Sequence, residues 1–145
     1  MLADINYVAG DTRQALRYYE SLVKRGDAPG EVYAKLASSY SGSDKSKALD
    51  YAAKGYALAP EDDDVIDTYG WLLTQNGKAS EGLPLLRQAV SRNSTSPQIY
   101  YHLAVTLEQL QEKNQAIEAY ETALSFNSKF EGDDQARKNL KRLKN

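Results

Sequence analysis

Few side chains in this chain have the type and spacing to do chemistry, and each narrows the choice. His102 is the single histidine, and cysteine is absent. An imidazole can move a proton or bind zinc, but histidine zinc sites draw on several His or Cys ligands, and a Ser/His/Asp relay would have to be built around this one ring. Lack of cysteine removes disulfides, thiolate metal sites and thiol nucleophiles, and leaves the redox compartment open. The run Glu61-Asp62-Asp63-Asp64, with Asp67 one turn on, has the charge of a cation site. It lacks the glycine and closing glutamate of a calcium loop, and carboxylates at a helix start accept its unpaired N–H groups and suit its dipole. Gly77-Lys78 is followed by Ala79 and is not part of a G-x-x-x-x-G-K-[ST] phosphate loop. No two carboxylates share an apolar segment that would raise a pKa for acid–base work. Asn93-Ser94-Thr95 fits a glycosylation sequon, which has meaning only in a eukaryotic secretory route. These patterns predict no enzyme, no metal site and no cofactor.

The 145 residues make one ordinary domain, and 41% hydrophobic with 26% charged residues is the balance of a globular protein. With 18 Lys plus Arg against 20 Asp plus Glu, the net charge of −2 supplies no basic field for a nucleic acid or an anionic membrane. The longest apolar stretches, such as Trp71 to Leu73 and Leu103 to Val105, fall far short of the roughly 18 residues of a membrane span, so no membrane insertion is expected. The start, MLADINYVAGD, is not a signal sequence. Eleven tyrosines, beside two Phe and one Trp, either pack helices or line a binding face.

What must position these residues is a repeat. Ala15, Ala48, Gly82 and Ala116 are 33, 34 and 34 apart. One residue on stand Leu16, Leu49, Leu83 and Ile117; four on, Tyr19, Ala52, Leu86 and Tyr120; seven on, Leu22, Gly55, Ala89 and Ala123. Offsets of four and seven are one face of a helix. A second series, Leu2, Leu36, Tyr69 and Leu103, is spaced 34, 33 and 34, each followed by Ala or Gly. Each unit is therefore two amphipathic helices, with turns at Gly10, Ser41 to Ser43, Asn76-Gly77 and Gln111-Glu112. Helices are expected over 2–9, 12–25, 30–41, 45–58, 63–75, 79–92, 97–110 and 114–127. A ninth follows over about 132–144, where Ala136, Leu140 and Leu143 form one stripe and Arg137, Lys138, Lys141, Arg142 and Lys144 crowd the rest. Pro84 predicts a bend unless its helix starts late, with Ser80 as the cap.

This pattern resembles the tetratricopeptide repeat (TPR) family across essentially the whole chain. The resemblance implies an all-α, right-handed superhelical solenoid of antiparallel helix pairs. Its repeats would be about 1–28, 29–61, 62–95 and 96–129, with 132–144 as a capping helix. One unit cannot bury both faces, so stacking is required. The opening helix lacks its first turn and nothing caps it, so the chain is expected to be the C-terminal part of a longer protein, able to self-associate through that uncapped repeat.

In TPR arrays the first helices line a concave groove. Carried onto this sequence, that face is Lys35 and Ser38, then Asp67, Thr68, Trp71 and Gln75, then Gln98, Tyr101, His102, Val105 and Glu108. Trp71 follows Gly70 and is offset from the packing pair Tyr69/Leu73; with Tyr101, His102 and Val105 it makes an aromatic cluster of the kind that anchors peptides. The competing reading has Trp71 and Tyr101 packing on the adjacent unit and stiffening the array. The Lys/Asn clamp with which some TPR proteins hold chaperone C-termini is absent, since its positions read Ala34, Ser38, Thr68, Gln98 and His102. Residues Gly70 to Leu124 are also similar to the last repeats of bacterial TPR lipoproteins of exosortase and exopolysaccharide systems, which implies a Gram-negative envelope ahead of the cytoplasm. The function expected is a noncatalytic scaffold that binds a protein or peptide segment in the groove. A structural spacer and the regulatory tail of an N-terminal enzyme are the alternatives.

Overall fold

The computed structural model describes residues 12–145, and all the regular structure among them is helical. Eight helices follow one another: α1 (Thr12–Lys24), α2 (Gly30–Tyr40), α3 (Lys45–Leu58), α4 (Asp63–Gln75), α5 (Ala79–Arg92), α6 (Pro97–Gln109), α7 (Lys113–Ser125) and α8 (Asp133–Lys144). Each lies within two residues of its expected span, and the helix expected over 2–9 is outside the described residues. The all-α class of TPR-type helix pairs is what the chain adopts.

Local chemistry explains the boundaries. Asp44 accepts from Lys47 N–H at 3.1 Å to start α3, and Ser96 accepts from Ile99 N–H at 3.3 Å to start α6, with Pro97 in the first turn. Asp62 Oδ1 takes the N–H groups of both Asp64 and Val65, at 3.0 and 3.2 Å, so the capping reading of the acidic run holds at Asp62. Three helices end alike. After α4, Gly77 N–H bonds Thr74 O (3.1 Å) and Lys78 N–H bonds Leu73 O (2.8 Å); Gly26 after α1 and Gln111 after α6 repeat the arrangement at φ of 78° and 62°. Ser80 does not cap α5. The helix already starts at Ala79 with Lys78 flanking it, so Pro84, sixth in the helix, forfeits only the bond to Ser80 O.

The chain forms two compact units, the first ending at Thr68 and the second covering Tyr69–Asn145, and α4 runs through the division. In the first unit α2 packs on α3 and on α1, burying Ala15, Tyr19, Val32 and Leu36 with Tyr18, Tyr40 and Tyr51 around them. In the second, Ala104, Leu107, Ala116, Ala119, Tyr120 and Ala136 form the core, with Leu140 and Leu143 of α8 laid against it. The positions that recur in sequence are the buried ones: Ala15, Ala48, Gly82 and Ala116 on one register, Tyr19, Ala52, Leu86 and Tyr120 on the next.

Small residues are required where helices cross. A Cβ on Gly82 would stand 2.6 Å from Gly70 O and 2.7 Å from Thr74 Oγ1, so the backbones of α4 and α5 touch there. Beside this crossing Thr74 Oγ1 lies 2.7 Å from Thr106 Oγ1; each hydroxyl also faces a carbonyl of its own helix, Gly70 O at 3.0 Å and His102 O at 2.8 Å. Gly82→Ala gains about 1 kcal/mol of helix propensity but drives a methyl into backbone, an overpacking that costs about 1–3 kcal/mol. A net loss of stability is expected in urea unfolding, and a more stable variant would refute the crossing.

Candidate functional site

In the first unit, α2 and the first turns of α4 enclose an open hollow of about 150 Å³ lined by Glu31, Ala34, Lys35, Ser38, Asp64, Val65 and Thr68. The helical spacing of Glu31, Lys35 and Ser38 on one element and of Asp64 and Thr68 on the other turns them to a common side. Three expected groove residues, Lys35, Ser38 and Thr68, are thus brought together. Lys35 Nζ pairs with Glu31 at 3.3 Å and lies 5.6 Å from the centre of the Tyr19 ring. Partial burial, with Asp62, Asp67, Asp63 and Glu31 close by, pushes the Asp64 carboxyl above the usual carboxylate range.

In the second unit the feature that stands out is Trp71, the chain's one tryptophan, laid flat on the His102 ring with centroids 4.1 Å apart and planes 16° from parallel. Gln98 Nε2 is 3.1 Å from His102 Nε2 and fixes the imidazole from its edge. His102, expected as a groove contact, is only 5% exposed: it is the floor on which the half-buried indole rests, because the stacked ring covers it. Tyr101 is also more enclosed than expected. Its ring meets Trp71 at 5.9 Å, Phe130 at 6.1 Å and Tyr120 at 6.3 Å between centroids. Gly132, in a left-handed conformation at φ 99°, presses so closely that a Cβ there would stand 2.5 Å from Tyr101 Cε2. Burial, then the charges of Glu131 and Glu108, raise the Tyr101 phenol. Of the two readings of Tyr101, packing is what its surroundings favour.

Glu108 is likewise committed. It accepts the Tyr120 hydroxyl at 2.8 Å and Arg142 of α8 at 2.5 Å, while Asn139 Nδ2 donates to Tyr120 Oη at 2.9 Å. Val105 is half-buried against the core, and Gln75 is exposed at the end of α4. Sequence reasoning missed Phe130 and Gly132. A lone glycine two residues after a phenylalanine, at the very start of a predicted helix, is the signal that could have pointed to them. Among the described residues no group of three or more His, Asp or Glu is placed to hold a metal ion, and no helix is long and apolar enough to cross a membrane.

The family described as anaphase-promoting complex, cyclosome, subunit 3 matches residues 42–123, more than half of the chain. No curated protein matches the chain significantly in sequence. Solved structures share its fold. MamA from Desulfovibrio magneticus RS-1 is 17% identical with a TM-score of 0.79, over 98% of this chain and 79% of that one. The first TPR domain of human RPAP3 is 19% identical with a TM-score of 0.69, over 79% of this chain and 89% of that one. A structure of the first TPR of Spaghetti (RPAP3) holds the HSP90 peptide SRMEEVD; it is 19% identical with a TM-score of 0.70, over 79% and 90% of the two chains.

Tyr120 ties this site to pH. Its phenol is raised above the ordinary 10.0 by burial first and then by its bond to Glu108. A raised folded-state pKa means stability that is complete below pH 10 and lost as pH climbs beyond it, because the unfolded tyrosine ionises first. Tyr120→Phe should cost about 1 kcal/mol at neutral pH and flatten the alkaline fall in stability by up to about 1.4 kcal/mol per pH unit. Urea unfolding at a series of pH values from neutral to strongly alkaline reads both; an unchanged alkaline slope would mean that Tyr120 ionises freely in the fold.

Proposed function

We propose a function from one premise: the chain belongs to the TPR-type family described as anaphase-promoting complex, cyclosome, subunit 3. On that premise the protein is a noncatalytic interaction module that holds a segment of a protein partner against its first-helix faces. In the first unit the face is the hollow between α2 and α4; in the second it is the indole of Trp71 on its His102 floor. The observation that carries the reading is Trp71. A large, half-buried aromatic is held rigid before any partner arrives, so little side-chain entropy is lost on binding, which is the character of an interface hot spot. Support by analogy comes from the RPAP3 domain of the same fold, seen with a peptide bound.

Within this reading the chain is organised as repeats of about 1–28, 29–61, 62–95 and 96–129, closed by 132–144 as a cap. A narrower placement, as part of a bacterial envelope scaffold of the exopolysaccharide type, rests on the similarity of Gly70 to Leu124 alone.

Affinity capture from the source cell tests the docking reading, with retained proteins identified by mass spectrometry and their affinity then measured directly. Trp71→Ala should weaken the retained partner by about 2 kcal/mol or more, some 30-fold, with the helical circular dichroism unchanged. A partner held equally by both forms would reduce Trp71 to packing.

A further inference from the structure

Asn76 is the one asparagine in this sequence that a glycine follows. The pair has a reaction of its own. The backbone nitrogen of Gly77, giving up its proton to solvent, can attack Asn76 Cγ and expel the carboxamide nitrogen as ammonia. Water then opens the cyclic imide at either carbonyl and leaves aspartate or the β-linked isoaspartate. Glycine hinders this attack least, because no Cβ stands beside its nitrogen. At every other asparagine that has a successor, the next residue carries a side chain.

The fold withholds both reactants. Asn76 is half-buried, and its Nδ2 donates to Leu72 O at 2.7 Å, which turns the carboxamide back along α4 and away from the next peptide. The Gly77 N–H, whose proton must leave before the nitrogen can attack, donates to Thr74 O at 3.1 Å. Lys78 N–H closes the turn on Leu73 O at 2.8 Å, with Gly77 at φ 78°. Attack needs the first two bonds released, and the third keeps the turn in which they form, so the reaction waits on a local opening at the end of α4. We propose that Asn76 is a modification site gated by the turn between α4 and α5: intact while the turn is closed, and converted irreversibly to aspartate or isoaspartate once it opens. The isoaspartyl product cannot rebuild the closed form. Its extra main-chain carbon shifts Gly77 N and Lys78 N from their carbonyls, the donor to Leu72 O is gone, and a new negative charge stands at the negative end of the helix dipole. The turn therefore records in covalent form how often the end of α4 has come apart.

Incubation of the whole chain at mildly alkaline pH, native and in concentrated urea, tests the gate, with peptide mapping by mass spectrometry counting aspartate and isoaspartate at position 76. The native rate is expected to be slower than the rate in urea by about tenfold or more, the effect of holding two or more hydrogen bonds closed. Lys78→Pro, which removes the N–H that bonds Leu73 O, should bring the native rate toward the unfolded one, with circular dichroism showing that the variant is folded. Equal rates in the native and unfolded chain would overturn the gate, whether or not Lys78→Pro folds. A folded Lys78→Pro chain that reacts no faster than the unmodified one would overturn it as well, since the protection would then lie outside this turn. The isoaspartyl form, separated by chromatography, should unfold at a lower urea concentration than the unmodified chain; an unchanged midpoint would overturn the loss of the closed turn.

Discussion

Everything in this protein depends on how closely two helices can be brought together. At the α4–α5 crossing the carbonyl of Gly70 occupies the space a Cβ of Gly82 would need, so the helices meet backbone to backbone. Space left by a small residue on one helix is taken by a large one on the other: a Cβ on Gly70 would stand 2.9 Å from Leu86 Cγ, so Leu86 of α5 fills the pair from inside. Tyr19, Leu86 and Tyr120 are buried one helical turn along from the small positions Ala15, Gly82 and Ala116. Close packing of this kind tolerates neither an added methyl nor a missing one, and it fixes which faces remain for other uses.

Those remaining faces differ in character between the two units. The hollow beside α2 and α4 is small, acid-rimmed and apolar at its base. The face of α4 and α6 in the second unit is aromatic, built from an indole stacked on an imidazole and bounded by a tyrosine that is itself held by Phe130 and Gly132. The polar cluster of Glu108, Tyr120, Asn139 and Arg142 then fastens α8 over the end of the core. Groove positions that read alike in sequence have been put to separate tasks: Lys35, Ser38 and Thr68 line space, His102 supports, and Glu108 fastens.

Much of the fold was legible because its cause is periodic. A spacing of 33 to 34 residues in small and large positions was enough to place each described helix within two residues. The site was legible only in part. Pattern alone places Trp71 and His102 on neighbouring first helices but does not say that one lies flat on the other, since that depends on rotamers and on Gln98. Nor does it say that a loop closes on Tyr101: the Phe130–Gly132 turn lies outside the repeat, and its left-handed glycine follows no period. The helix expected over 79–92 starts at Ala79, and the alternative of a later start with Ser80 as its cap is not taken, because Pro84 as the sixth residue removes only one bond and need not displace the helix start.

The threonine pair at the heart of the second unit has a consequence in proton counting. Thr74 and Thr106 face each other at 2.7 Å, and each also faces the carbonyl four residues before it. Two hydroxyls own two protons, and three contacts ask for one each. Whichever way the hydroxyls turn, one contact is always without a hydrogen: when Thr74 donates to Thr106, Gly70 O goes unserved by it, and when Thr106 donates to Thr74, His102 O does. The two arrangements interconvert by a concerted rotation about both Cβ–Oγ bonds, with no heavy atom moving. The backbones of α4 and α6 can therefore be rigidly joined while the hydrogens that join them stay disordered.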